Sequence, residues 1–163
     1  MFTERKDRMA DRHASNRPGA STNTWSGVFF GLGLMALIDE IIFHQLLQWH
    51  HFYNHSTTQV GIFSDGLLNA FALFAIVAGL FMFADLRRRN TLRLRKFISS
   101  VLIGAGSFQL ADGIVNHKLL RVHQVRYGVE DIWPYDLGWI VTGVILLVCG
   151  VILFAKSNRR EGG

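Results

Sequence analysis

Cysteine is nearly absent from this sequence of 163 residues, which contains only Cys149. A single cysteine excludes an internal disulfide and a cysteine-rich metal site, and we expect Cys149 to be a small packing residue. Charge is also scarce, because only 18% of the residues are charged whereas 50% are hydrophobic. These proportions are typical of a membrane protein.

The first 24 residues lack a seven-residue apolar core beside a cleavage site, so they do not form a signal peptide. We predict that residues 1–24 are a disordered cytoplasmic tail. The apolar residues that follow fall into four blocks, which span residues 25–47, 67–84, 97–120 and 137–155.

Each block has about the ~20 residues that a helix needs to cross the hydrocarbon of a bilayer. Four such blocks leave too little polar chain to wrap them in a soluble fold. The sequence therefore predicts an all-α integral membrane protein, with a four-helix domain at residues 25–155 and a cytoplasmic tail at residues 157–163.

The distribution of the 17 basic residues predicts the orientation of the spans. Lysine and arginine are concentrated before residue 25, between residues 87 and 96 and after residue 155, whereas residues 48–64 contain none. The positive-inside rule then places both termini and the loop between the second and third blocks in the cytoplasm, and the two other loops on the outer side of the membrane. We expect the basic loops to contact anionic lipids rather than nucleic acid.

A motif occurs twice, from Gly31 to His50 and from Gly104 to His123. Both copies read G-x-G-x5-D-x4-H-x-L-L-x2-H, and 73 positions separate them. The second and fourth blocks also match, at an offset of 71 that pairs Asp65 with Asp136. We therefore predict two parallel two-helix repeats, at residues 25–85 and 97–156, related by an axis near the membrane normal.

The duplicated motif places ionisable side chains inside two spans, where each costs ~2.5 to 3.5 kcal/mol on insertion scales. A straight helix cannot bring the aspartate and both histidines of one copy onto one ion. A π-bulge near His44 is one remedy, and a site assembled from both copies is the one that we favour. The predicted metal ligands are His44, His50, His117, His123, Asp39 and Asp112.

Five further polar residues lie near this set. His51 and His55 are expected to be solvated in the first outer loop, where they could guide an ion inward. Asp65 and Asp136 are expected to cap their helices, with membership of the site as the alternative. Glu40 is a candidate proton carrier or a partner for Lys118.

Imidazole and carboxylate ligands favour Cu(II), followed by Fe, Mn or Zn, over Cu(I) bound by sulfur. A bis-histidine haem is less favoured. Two haems stacked along one helix would need axial histidines that lie further apart than the two histidines of one motif, which are six residues apart.

These residues resemble a bacterial family of four-span membrane proteins that is catalogued as domain of unknown function twenty-two forty-three. The specific matches run from Asp39 to His51 and from Asp112 to Arg126, and the likeness covers roughly residues 25–155. A histidine often stands in the family where this chain has Asn69, and a second histidine where it has Gln124. The resemblance implies no activity.

Three functions fit the sequence. The first is a redox metalloenzyme that acts on a small oxygen-derived species such as superoxide. The second is copper delivery or the assembly of a respiratory oxidase, and the third is a non-catalytic structural subunit. A second copy of the chain or a respiratory-chain protein is the expected partner, besides lipid, the metal ion and a small substrate.

Overall fold

The computed structural model describes residues 19–162, and the regular secondary structure in that range is entirely helical. The elements are α1 (Ala20–Asp39), a π-helical segment (Glu40–Leu46), α2 (Thr58–Arg88), α3 (Leu94–Ala111), a second π-helical segment (Asp112–Leu119) and α4 (Trp133–Gly162). The predicted all-α architecture is confirmed.

Four helical stretches in the described residues are long and apolar enough to cross a membrane. They are Ala20–Leu46, Thr58–Arg88, Leu94–Leu119 and Trp133–Arg160. The prediction of a multi-pass membrane protein with four spans is therefore confirmed. The helices extend beyond the apolar blocks because polar residues form their ends. Thr57, for example, caps α2 by accepting a hydrogen bond from the backbone N–H of Val60.

Both predicted tails are partly helical. Helix α1 begins at Ala20, and its buried Asn23 donates to the carbonyl of Thr91 (3.0 Å) and accepts from the N–H of Arg93 (2.7 Å). These bonds tie the end of the predicted tail to the loop between α2 and α3. Residues 1–18 lie outside the described part of the chain. At the other end α4 continues to Gly162.

The bundle is polar inside and apolar outside. Asp39 and Glu40 are 2% and 0% exposed, whereas Phe74 and Phe81 are 71% and 73% exposed. Cys149 is also exposed rather than packed as expected, because it lies on the outward-facing side of α4 with other exposed apolar residues. This distribution suits a helix bundle whose outer surface contacts lipid, with its polar side chains facing one another.

Glycines bring the helices into backbone contact. A Cβ atom on Gly31 would lie 2.0 Å from the carbonyl oxygen of Val101, and one on Gly104 would lie 2.3 Å from that of Val28. Helices α1 and α3 therefore touch along their backbones, as small residues allow in membranes. Gly33 and Gly106 face different neighbours, α2 and α4 respectively.

We predict that Gly31→Ala destabilises the bundle by about 1–3 kcal/mol, the usual cost of overpacking, because the new methyl meets backbone that cannot rotate away. Thermal unfolding of the purified protein in detergent measures this. Gly66→Ala is the matched control, because a Cβ there meets nothing within 4 Å. Equal unfolding temperatures for the two variants would contradict the proposed contact.

Candidate metal centre

The π-helical segments turn each motif so that its two histidines meet. The N–H of Leu47 bonds to the carbonyl of Ile42 (2.9 Å), and that of Leu120 bonds to Val115 (2.8 Å), so that each helix ends on a wide i to i−5 turn. The residue after each of these turns, Gln48 (φ 51°) or Arg121 (φ 50°), has left-handed backbone geometry, and the chain reverses its direction there.

The reversal brings the second histidine of each motif back onto the first. The ring centroids of His44 and His50 are 4.4 Å apart, and those of His117 and His123 are 4.7 Å apart. The π-helical geometry that we considered near His44 is thus present, and the histidines of the two copies also lie side by side, with the ring centroids of His50 and His123 4.5 Å apart. We call the end of the bundle that carries loops 47–57 and 120–132 the histidine end.

The two loops at the histidine end exchange a reciprocal pair of hydrogen bonds. Nδ1 of His50 contacts the carbonyl oxygen of Val125 at 2.9 Å, and Nδ1 of His123 contacts that of Phe52 at 2.8 Å. All four residues obey the offset of 73 that relates the two motifs. Each histidine is therefore held by the loop that follows the other motif.

Backbone hydrogen bonds repeat the exchange. The N–H of Asn54 donates to the carbonyl of Val122 (3.2 Å), and the N–H of Tyr127 donates to that of Trp49 (3.3 Å). These bonds fix the two loops to each other, so that the position of either histidine pair depends on both loops.

The carbonyl partners determine which nitrogen of His50 and His123 carries a hydrogen. A carbonyl oxygen only accepts, so Nδ1 must donate, and Nε2 is left with a free lone pair when the ring is neutral. Burial, together with the neighbouring imidazoles of His123, His44 and His117, holds the pKa of His50 well below its ordinary value. His50 is therefore neutral, with Nε2 ready to bind a cation.

The four imidazoles form a row across the two halves. His50 and His123 stack at the centre, with centroids 4.5 Å apart and planes 7° from parallel. His44 lies beside His50 and His117 beside His123. Residues that are far apart in the sequence thus make one continuous, buried cluster.

The motif aspartates lie against this row. Asp112 places its carboxylate oxygens 2.9 Å from Nε2 of His117 and 3.5 Å from Nε2 of His123, and those two nitrogens are 3.0 Å apart. Asp39 lies 3.7 Å from Nε2 of His44. Ligand atoms bound tetrahedrally at about 2.0–2.1 Å would lie roughly 3.3 Å from one another. The observed spacings fit such a shell.

Three groups of three residues each bring one ligating atom per residue to within 4.8 Å of the other two. The groups are Asp39, His44 and His50; His50, His117 and His123; and Glu40, His44 and Asp65. The third group lies on Nδ1 of His44, at the other edge of that ring. Because His50 belongs to the first two groups, they suit one ion at the centre or two adjacent ions.

Several atoms of the cluster are buried without a hydrogen-bond partner. They include Nε2 of His44 and Nε2 of His50. An unpaired buried polar atom costs about 1–3 kcal/mol, so two such nitrogens on rings whose centroids are 4.4 Å apart need an explanation. A cation bound by Asp39, His44 and His50 would satisfy both nitrogens, which is the strongest structural sign that the donor set fits a metal.

The expectation that Asp65 and Asp136 cap their helices is wrong. Helix α2 begins at Thr58, two turns before Asp65, whose carboxylate instead accepts from Nδ1 of His44 (3.0 Å), Nδ1 of His51 (2.6 Å) and the N–H of Phe52 (2.7 Å). Asp136 lies within the first turn of α4 and pairs with Lys118. Both aspartates border the cluster, because the helices start earlier than the apolar blocks.

Glu40 is fully buried and contacts His44. The expected pairing of Glu40 with Lys118 is not observed, because Lys118 pairs with Asp136. Oε2 of Glu40 lies 2.9 Å from Nδ1 of His44, and Oε1 accepts from Gln45 (2.7 Å) and Asn69 (3.2 Å). Carboxylates on Nδ1 leave Nε2 of His44 as the ligating nitrogen and orient the ring.

The loop histidines have partners as well. His51, expected to be solvated, has a side chain only 31% exposed and is bound to Asp65. His55 is exposed, with Nε2 on the carbonyl of Arg121. His51 thus touches the carboxylate that orients His44, whereas His55 does not touch any of the six predicted ligands in the described structure.

The carbonyls of Phe52 and Val125 are functional groups that the sequence analysis missed. They belong to the backbone, so no side-chain pattern marks them. The offset of 73 is the one signal that pairs them.

Comparison with known proteins places the chain in a family. A family sequence model matches residues 26–157, which is most of the chain and includes the greater part of each of the four spans. The chain belongs to the family described as predicted membrane protein (DUF2243). Neither a curated protein nor a solved structure matches it.

Within the DUF2243 match, the two positions at which this chain differs from the family histidines named above lie outside the row of imidazoles. Asn69 donates to Glu40, and Gln124 is exposed at the rim of a cavity beside His117. All six predicted ligands lie inside the matched range.

We predict that Asp65→Asn loosens loop 47–57. The asparagine side chain has only one acceptor oxygen, and its NH₂ group would face N–H donors that the carboxylate of Asp65 binds. Hydrogen bonds to a charged group contribute about 1.5–3 kcal/mol each. Hydrogen exchange of the loop amides, followed by mass spectrometry, should quicken roughly ten- to hundred-fold. Asp85→Asn, at the opposite end of α2, is the control, and unchanged exchange in Asp65→Asn would refute the anchoring role.

Proposed function

We propose that this protein binds a redox-active transition metal at the histidine end, within the inner membrane of a bacterium. The ligands are His44, His50, His117, His123, Asp39 and Asp112. The single observation that carries the proposal is the reciprocal bonding of His50 and His123 to loop carbonyls, because it leaves two Nε2 lone pairs directed into a buried cluster of further donors.

Copper is the first candidate for the metal, followed by iron and manganese, and zinc is the candidate that would supply no redox chemistry. The donors are nitrogen and oxygen, and the lone Cys149 is remote from them on α4. Haem is disfavoured, because the imidazoles lie ring against ring and leave no slot for a porphyrin.

The paired contacts support the interpretation as two parallel repeats. Besides the loop bonds, Gly79 packs against Ser26 and Phe30 just as Gly150 packs against Ser99 and Ile103. These contacts keep the offsets of 71 and 73 found in the sequence. An axis near the membrane normal would then pass between His50 and His123, with the site on the periplasmic side and both termini in the cytoplasm.

The chemistry that we infer is one-electron redox on a small oxygen-derived species, with superoxide as the first candidate. A bound copper or iron ion would supply the redox couple. The protein would hold the ligand rings fixed through Val125 and Phe52, keep Nδ1 of His44 hydrogen-bonded to carboxylates, and exclude bulk water from a cluster whose members are at most 5% exposed. Such burial disfavours a large substrate.

Copper delivery, with respiratory oxidase assembly as its setting, is the second candidate. It is favoured by the contact series from the partly exposed His51 through Asp65 to the buried His44. These three side chains could ligate an ion, and they run from the surface into the bundle, so the series would suit passage of an ion between the surface and the site.

The first test is elemental analysis with optical and EPR spectra of protein purified from cells supplied with copper, iron, manganese and zinc. We expect one or two equivalents of one metal. His50→Ala and His123→Ala should each lose at least ~10-fold in affinity, since the other ligands cannot close the shell. His55→Ala is the matched control and should retain metal. Metal-free protein with unchanged folding after chelation would favour a structural subunit instead.

The second test separates redox from delivery. Stopped-flow mixing of the metal-loaded protein with superoxide should show catalytic consumption and a change in the metal spectrum, and His117→Ala should abolish both. Metal-loaded protein that neither changes oxidation state nor consumes superoxide, yet yields its ion to an apo-oxidase domain, would establish delivery.

A further inference from the structure

A cavity of about 550 Å³ with several polar side chains in its wall opens at the histidine end and reaches the buried ring of His117. Its walls include Asn54, His55, Lys118, Arg121 and Gln124. Nδ1 of His117, on the ring edge away from Asp112, is buried and has no hydrogen-bond partner, since the nearest carboxylate oxygen of Asp136 is 3.9 Å away. The cavity thus ends on a ring nitrogen that has no hydrogen-bond partner.

The charge of the cavity is positive. Lys118 is neutralised by Asp136, which is also in the wall. The guanidinium of Arg121 is exposed and forms no ion pair with any described residue. One uncompensated cation in a concave polar site raises the local concentration of small anions and disfavours cations.

The first half of the chain lacks this charge. At the offset of 73, Gln45 and Gln48 correspond to Lys118 and Arg121. His51 corresponds to Gln124. His51 is bonded to Asp65, whereas Asp136, the counterpart of Asp65, is paired with Lys118. The two halves therefore differ on the side of the cluster that faces solvent, although their histidines match.

Backbone contacts fix the position of Arg121. Its carbonyl accepts from Nε2 of His55, and the N–H of the next residue, Val122, bonds to the carbonyl of Asn116 at 2.8 Å. The residue also has positive φ, which ends the π-helical segment. The cation is thus attached to a fixed backbone rather than to a free loop.

We propose that this cavity binds a small inorganic monovalent anion beside His117, with Arg121 as the residue that attracts it. The inference rests on the proposed function, because it makes the cavity the approach of an anionic substrate to the metal centre. The positive charge of the cavity favours entry of an anionic substrate and disfavours entry of a metal cation at this point.

Azide titration of the copper-loaded full-length protein tests the proposal. Azide is a small monovalent anion, and its binding near Cu(II) is read from absorption and EPR spectra. We expect Arg121→Gln to weaken azide binding about tenfold or more at low ionic strength, with the difference narrowing at high salt. Arg121→Lys should stay near wild type, because it keeps the charge.

Arg159→Gln, an exposed residue at the far end of α4, controls for net charge and should bind azide normally. Equal azide affinity in wild type and Arg121→Gln, with equal copper content, overturns the proposal. Anomalous diffraction from crystals soaked in bromide tests it without a metal. A bromide peak beside Arg121 supports the anion site even if copper does not bind, and its absence overturns it.

Discussion

The backbone contact between α1 and α3 is the constraint on which the rest of the structure depends. Gly31 and Gly104 lack the side chains that would separate the helices, and each lies against a carbonyl of the opposite helix. Because Asp39 and Asp112 follow those glycines by eight residues in each copy, the contact sets both acidic residues, and the loops beyond them, on the same axial level. A wider spacing would part the loops that hold His50 and His123.

Hydrogen bonding at the histidine end then accounts for the burial of so many polar groups. Intramembrane ionisable residues are costly, and in this bundle they are placed where they face one another rather than lipid. Carbonyls hold two of the imidazoles, and carboxylates hold a third. The unsatisfied nitrogens of His44 and His50 lie on neighbouring rings, and for that reason we propose a bound cation rather than a hydrogen-bonded network alone.

Much of the fold could be predicted, because span length and apolar composition are direct consequences of bilayer thickness. The positions of the helix ends could not, since α1 begins at Ala20 and α2 begins after its cap Thr57, both outside the apolar blocks. That error led to the wrong expectation for Asp65. A boundary set by side-chain capping leaves little trace in hydropathy.

The six candidate ligands were predictable from the duplicated spacing, and the structure brings all of them to one end of the bundle. The route by which they meet was only partly predictable. No side-chain pattern distinguishes an i to i−5 turn from an ordinary helical turn, so a π-helical segment was one remedy among two. The carbonyls of Phe52 and Val125 could not be predicted, because every residue has a carbonyl and only the fold selects these two.

The central claim is that histidines from both halves hold a metal together, and X-ray absorption at the edge of the copurified metal tests it most directly. The account predicts a nitrogen and oxygen shell at about 2.0–2.1 Å, with outer scattering from at least three imidazoles. Removing either His50 or His123 should reduce the imidazole contribution. Protein without a transition metal, or a metal shell that lacks imidazole or is dominated by sulfur, would contradict the account.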